Sequence, residues 1–173
     1  VDEGYVQIPG AIPTAMIEAA RRAVNHSIGE VGMGGENAEG NRSGFFCAEL
    51  LDAPVITDLY NRTPVIAMAE SLMGEGNVQP VERAKPYPRF PLPPGEDPPE
   101  PRGHLDGIGN GSNGTAKGDY KRGFTAFAVI YLADVPEPYS GNFTVWPTSH
   151  RIFADYFKRE GHEVLKNGMP RPE

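Results

Sequence analysis

A histidine and an aspartate two positions apart, His104 and Asp106, are the first residues in this sequence that could do chemistry. Residues i and i+2 of a β-strand project from one face, so this imidazole and carboxylate can reach one cation together. With a further histidine they would form the two-imidazole, one-carboxylate set that leaves three positions of Fe(II) open. The spacing taken alone favours a simpler interpretation, a His–Asp hydrogen bond at a loop edge.

Three segments, in this order, resemble the phytanoyl-CoA dioxygenase family of Fe(II)/2-oxoglutarate oxygenases. They are Gly-His-Leu-Asp-Gly at 103–107, Phe-Thr-Ala-Phe-Ala-Val-Ile-Tyr-Leu-Ala-Asp at 124–134 and Gly-Asn-Phe-Thr-Val-Trp-Pro-Thr-Ser-His-Arg at 141–151. Members of that family show H-x-D, then a buried strand, then G-x-L-x-V-x-P-G-[ST]-H. This chain departs by having Thr148 where glycine is usual, a change that alters turn geometry more than chemistry. The resemblance covers residues from about 78 to 170.

The resemblance implies a double-stranded β-helix, or jelly roll, in which His104 and Asp106 are the first two iron ligands. Fe(II), 2-oxoglutarate and O2 are the implied cofactor and cosubstrates. In the family, the histidine of the P-G-[ST]-H segment follows a core strand in a loop, and the third ligand and a 2-oxoglutarate-binding arginine come later. Neither later pattern occurs before Glu173. We therefore expect the chain to be C-terminally incomplete, without the last strands of the barrel.

His150 separates two hypotheses about the third ligand. If the chain is incomplete, His150 lies in a loop or at a helix start, with Ser149 or His150 near the N-cap of a helix running to about Glu160, and its imidazole does not converge on His104 and Asp106. In a compact variant, His150 would be the third ligand and Arg159 would bind the cosubstrate. The spacing of apolar residues around Arg159 places it on the polar side of an amphipathic helix, which favours a surface role. His26 and His162 are expected to be solvated.

Hydrophobic periodicity indicates a single domain over 1–173, with a helical part at about 1–75 and a β core at about 76–173. A helix is expected after Pro13, where Met16, Ile17, Ala20 and Val24 form one stripe, with an exit at Gly29. Further helices are predicted at 53–60, 64–73 and 152–160. Strands are predicted at 5–8, 45–51, 78–83, 103–106, 124–132 and 142–146.

The predicted fold class is therefore mainly β with flanking helices, a cupin-like jelly roll. The run at 124–132 should be its central strand, with Val129 and Ile130 buried and Trp146 at least partly buried beside it. The 21 Gly and 18 Pro residues favour many turns and long loops, and the proline-rich stretch at 86–101 excludes regular structure.

Composition excludes two classes of partner. The chain has 16 Lys and Arg against 23 Asp and Glu, a net charge of −7, which argues against nucleic-acid binding because neutralisation of phosphates supplies much of that affinity. No apolar run approaches the roughly 20 residues needed to cross a bilayer. Cys47 is the single cysteine, which fits a reducing compartment and a cytoplasmic protein.

The sequence thus predicts an Fe(II)- and 2-oxoglutarate-dependent dioxygenase that oxidises, by hydroxylation, a small organic substrate. A non-catalytic jelly-roll binding module with an incomplete metal site is the alternative. A metal-dependent isomerase or hydrolase of the cupin type is a third possibility. Neither the substrate nor the oligomeric state can be derived from the sequence.

Overall fold

Four α-helices dominate the regular structure of the residues that the computed structural model describes, which are 2–31, 47–90, 92–101, 103–105, 126–161 and 164. They are α1 (Thr14–Val31), α2 (Pro54–Asn61), α3 (Val65–Met73) and α4 (Ser149–Glu160), and a 3₁₀ helix spans Ala48–Leu50. None of the described helices combines the length and the apolar character that a membrane crossing requires.

The chain divides into two compact units. The helical unit comprises Ile8–Pro91 and Ala128–Gly141 and contains α1, α2 and α3. The terminal unit comprises Val1–Gln7, Leu92–Phe127 and Asn142–Glu173 and contains α4.

The helix ends follow from local sequence. The carbonyl oxygen of Pro13 accepts hydrogen bonds from the first turn of α1, and Pro54 occupies the start of α2, where a missing N–H costs nothing. Helices α3 and α4 stop at Gly74 and Gly161, whose φ angles of 92° and 72° lie in the region that favours glycine. The four predicted helices are confirmed, with ends shifted by no more than about one turn.

The core of the helical unit lies where α1 packs on α2, and α2 packs in turn on α3. Positions four apart on α1 and three apart on α2 share a helix face, so each helix presents one apolar stripe to the other. Full burial of a large aliphatic side chain contributes roughly 1.5–3 kcal/mol. The buried apolar residues are Ala20, Val24, Cys47, Ile56 and Leu59.

Polar contacts tie irregular segments to these helices. Ser27, buried on α1, donates a hydrogen bond to the carboxylate of Glu49 in the 3₁₀ helix. The Asn61 side chain at the end of α2 binds both backbone groups of Val81, through Nδ2 to the carbonyl oxygen at 2.9 Å and from the amide to Oδ1 at 2.8 Å. An amide side chain thus takes the hydrogen bonds that a neighbouring strand would have made.

The prediction of a mainly β jelly roll is wrong for the described residues, which are 41% helical and include no strand. The predicted strands at 5–8, 78–83 and 142–146 have no strand pairing, and neither do residues 103–105, the described part of the strand predicted at 103–106. The 45–51 segment contains the 3₁₀ helix. β-Propensity produces a strand only when a second strand accepts its backbone hydrogen bonds. The described part of the chain contains no such pair.

The described part of the predicted central strand, residues 126–132, shows why its sequence was misleading. Residues 126–128 are exposed, and the side chains alternate only over 129–132, where Ile130 and Leu132 pack against the helical core while Val129 and Tyr131 are 43% and 45% exposed. The apolar period of two therefore buries one face against helices without forming a ladder. The expectation that Val129 is buried is wrong.

The α1–α2 core should respond strongly to truncation of Leu59. This side chain is 3% exposed, so Leu59→Ala should lower the free energy of unfolding by about 2–5 kcal/mol through lost burial and the cavity left behind. Leu72 on α3 is 64% exposed, so Leu72→Ala should change the free energy of unfolding by no more than about 0.5 kcal/mol. Urea denaturation followed by circular dichroism measures both, and equal effects of the two variants would contradict this core.

The Ser27–Glu49 hydrogen bond predicts a pH-dependent contribution to stability. It lowers the pKa of Glu49 from its ordinary value of 4.5. A carboxyl with a depressed folded-state pKa stabilises the fold above its unfolded pKa and loses this contribution as pH falls through the folded-state pKa. The drop in melting temperature caused by Ser27→Ala should therefore be largest at neutral pH and shrink in acid.

Ser71→Ala is the matched control, because the Ser71 hydroxyl donates to the carbonyl oxygen of Met68 at 2.6 Å and not to an ionisable group. Its effect on the melting temperature should not vary with pH over the same range. A Ser27→Ala effect that is constant from neutral to acidic pH would contradict the assignment.

Candidate functional site

A cleft of about 170 Å³ lies within the terminal unit. Three stretches distant in sequence build it, namely the N-terminal residues, the segment of His104 and the segment leading into α4. Its lining combines a carboxylate, two imidazoles and three aromatic rings. The lining residues are Glu3, Gly4, Tyr5, His104, Phe143, Thr144, Val145, Trp146, Ser149 and His150.

The N-terminal residues are attached to the first turn of α4. The Thr148 amide donates a hydrogen bond to the carbonyl oxygen of Glu3 at 2.9 Å, and Arg151 forms an ion pair with Asp2. Gly4 has a φ of 82° and lies against the imidazole of His150, where a Cβ would approach Cε1 to 2.8 Å and Nδ1 still more closely. Glycine at position 4 is thus required both by its backbone conformation and by the ring beside it.

Thr148 precedes α4 in a left-handed conformation, with a φ of 64°, and its side chain does not cap the helix. This conformation costs an L-residue about 1–2 kcal/mol, and a β-branched side chain adopts it rarely. The position is the one at which the resembled family usually carries glycine. Thr148 thus adopts the left-handed turn conformation before α4 even though it is not a glycine, and its backbone is strained as a result.

The two histidines singled out from the sequence, His104 and His150, line the same cleft. His150 lies in the first turn of α4, as predicted. The expectation that its imidazole does not converge on His104 and Asp106 stays a prediction, because Asp106, the other predicted ligand, lies outside the described residues. Within the described part of the chain, no three His, Cys, Asp or Glu side chains come together as a metal-binding group.

Arg159 does not line the cleft. It is exposed on α4, where its Nε donates a hydrogen bond to Glu160 at 2.8 Å, and this contact raises the pKa of the guanidinium. This placement agrees with the predicted surface role. His26 is exposed on α1, as expected for a solvated side chain, and His162 lies outside the described residues.

The aromatic part of the cleft was not predicted from the sequence. The Trp146 ring packs against Gly103, where a Cβ would lie 3.3 Å from two ring carbons, and the side chain remains 47% exposed. Phe143 contacts Phe127, with ring centroids 5.9 Å apart. Glu3 and Tyr5 lie about a hundred residues or more from the lining residues of the other two stretches, so no local pattern could reveal that they share a cleft with Trp146.

Replacing Gly4 should disturb the cleft in a way that replacing another positive-φ glycine does not. Gly4→Ala should shift the imidazole NMR signals of His150, because the added methyl group overlaps the ring. Gly10 also has a positive φ, of 71°, but nothing lies within 4 Å of its Cβ position, so Gly10→Ala isolates the backbone strain. Unchanged His150 signals in Gly4→Ala would contradict the described packing.

No protein-family model, no curated protein and no solved structure gives a match to this chain.

Proposed function

We propose that the chain is an Fe(II)- and 2-oxoglutarate-dependent dioxygenase that hydroxylates a small organic substrate. The observation that carries the proposal is the shared cleft of His104 and His150, with Asp106 two residues beyond His104. The proposal does not depend on a barrel fold. It depends on the chemistry of these donors and on the resemblance of the 103–107 and 141–151 segments to the oxygenase family.

The donor set fits ferrous iron. His104, Asp106 and His150 would supply two imidazole nitrogens and one carboxylate, the combination associated with non-haem Fe(II) oxygenases. Asp106 would bring the one negative charge, and the Gly4 backbone beside His150 would limit rotation of that imidazole. In this proposal His150 would be the third ligand, as in the compact variant, in place of a ligand supplied by residues after Glu173.

Bound iron would activate O2, so that one oxygen atom enters the substrate C–H bond as a hydroxyl while the other converts 2-oxoglutarate to succinate and CO2. The chain's own contribution is to hold the donors and to position the substrate. The aromatic rings of Tyr5, Phe143 and Trp146 would exclude water from one side of the cleft. The arginine that binds 2-oxoglutarate remains unassigned, since Arg159 lies outside the lining.

The remaining parts of the proposal concern partners and location. The substrate is a small molecule, because a net charge of −7 disfavours nucleic acid and the cleft measures only about 170 Å³. Cys47 is a free thiol buried in the helical unit, which supports a reducing environment, and we place the protein in the cytoplasm.

Spectroscopy under anaerobic conditions tests the metal site directly. Addition of Fe(II) and 2-oxoglutarate should produce the weak visible charge-transfer band of a chelated 2-oxo acid, and O2 should then yield succinate. His104→Ala, Asp106→Ala and His150→Ala should each remove the band, since losing a direct ligand should cost more than the roughly 10–100-fold in affinity that outer-sphere partners cost.

His26→Ala is the matched control, because it removes an exposed imidazole on α1 and should leave the band intact. A band that survives Asp106→Ala or His104→Ala would overturn the proposed ligand set. Iron binding without the band would indicate a metal-dependent isomerase or hydrolase, and failure to bind iron would indicate a non-catalytic binding protein.

A further inference from the structure

Three aromatic rings border the cleft and keep much of their surface accessible. Tyr5, Phe143 and Trp146 are 50%, 52% and 47% exposed. Exposure alone does not distinguish them, since aromatic rings outside the lining are also 45–59% exposed, namely Tyr87, Phe90, Phe127, Tyr131 and Tyr139. What these three rings share is one concave surface, on which a single ligand could cover them together. The faces of such rings carry negative electrostatic potential and attract cations within about 6 Å.

The charge of the cleft has the sign that favours a cation. Among the described residues that line it, Glu3 is acidic and none is Lys or Arg. The nearest cation in sequence to the α4 start, Arg151, forms an ion pair with Asp2. Within the described part of the chain, Glu3 is thus the acidic lining residue that could act as a counter-charge, and the Thr148–Glu3 hydrogen bond holds its backbone beside α4.

Glu3 lines the cleft together with both histidines, yet it does not form a three-residue metal group with them. A ligand that covers Glu3 would remove water from its carboxylate. Because desolvation of an uncompensated charge is unfavourable, such a ligand should carry a positive charge. An organic cation meets this requirement and also gains from the neighbouring rings. A neutral apolar ligand gains only from the rings.

The size of the cleft limits the cation. Pockets for drug-sized molecules measure about 300–1,000 Å³, whereas this cleft measures about 170 Å³. A small alkylated ammonium compound, or the ammonium head group of a slightly longer molecule, fits this volume. A large ring system or a lipid tail does not.

We propose that the cleft binds a small quaternary or alkylated ammonium group, with Glu3 as its counter-charge and the rings of Tyr5, Phe143 and Trp146 as its walls. Calling this cation the substrate rests on the proposed oxygenase function. The binding itself requires neither iron nor 2-oxoglutarate.

Trp146 is the single tryptophan of the chain, so its fluorescence reports on the cleft without labelling. The probes are choline and 3,3-dimethylbutan-1-ol, in which carbon replaces the quaternary nitrogen and removes the charge at nearly constant shape. In metal-free protein, choline should change the emission in a saturable manner. The neutral isostere should bind about twofold to thirtyfold more weakly, since cation–π attraction contributes about 0.5–2 kcal/mol.

Variants divide the expected affinity between charge and rings. Glu3→Gln removes the counter-charge and should raise the dissociation constant of choline roughly threefold to fivefold, the range expected of a solvent-exposed ion pair. Tyr5→Leu replaces a ring by an aliphatic group and should weaken choline more than the neutral isostere. Glu82→Gln, an exposed carboxylate that does not line the cleft, is the matched control and should leave binding unchanged.

Equal affinity for choline and its isostere, or choline binding that is insensitive to both Glu3→Gln and Tyr5→Leu, would overturn the proposal. Circular dichroism of each variant excludes loss of folding as the cause of a weakened signal. The outcome is separable from that of the iron experiment. Choline binding without a charge-transfer band would leave the cation site standing and reject the oxygenase, and the reverse result would reject only the cation.

Discussion

The attachment of residues 2–5 to the first turn of α4 is the contact on which the cleft depends. The Thr148–Glu3 hydrogen bond, the Asp2–Arg151 ion pair and the packing of Gly4 on His150 all join the same two short segments. These contacts hold Glu3 and Tyr5 in the same cleft as Trp146. An exposed ion pair contributes at most about 1 kcal/mol, so the close packing at Gly4 and the backbone hydrogen bond supply the geometric precision.

The predicted helices form and the predicted strands do not pair in the described residues, for one physical reason. A helix satisfies its backbone within a few residues, so Pro54 and Gly74 mark its ends locally. A strand depends on a partner elsewhere in the chain. At Val81 that partner is the side chain of Asn61, and at Ile130 the apolar face meets helices, so an alternating pattern appears without a ladder.

For the candidate site, too, local features could be predicted from the sequence and contacts between distant segments could not. His104 could be singled out from the sequence because its two-residue spacing from Asp106 has a chemical reason, whereas His150 was singled out only through the resemblance, which implied that it is not a ligand. Their common cleft, and the part played by Glu3 and Tyr5, depend on contacts between distant segments and left no local trace. Thr148 is intermediate, since its position two residues before His150 could be read from the sequence, whereas its positive φ is a property of the fold that the sequence did not reveal.

The sequence separation of the Asp2–Arg151 contact, 149 residues, has a consequence for how the protein acquires its binding site during synthesis. The Ser27–Glu49 contact of the helical unit spans only 22 residues. Logarithmic scaling of loop-closure entropy makes the longer closure costlier by about 1.7 kcal/mol, so the helical contacts form first. At ribosomal rates of about 5–20 residues per second, synthesis of the 149 residues between Asp2 and Arg151 takes roughly 7–30 s. A nascent chain can therefore hold its helical core well before it can hold a ligand.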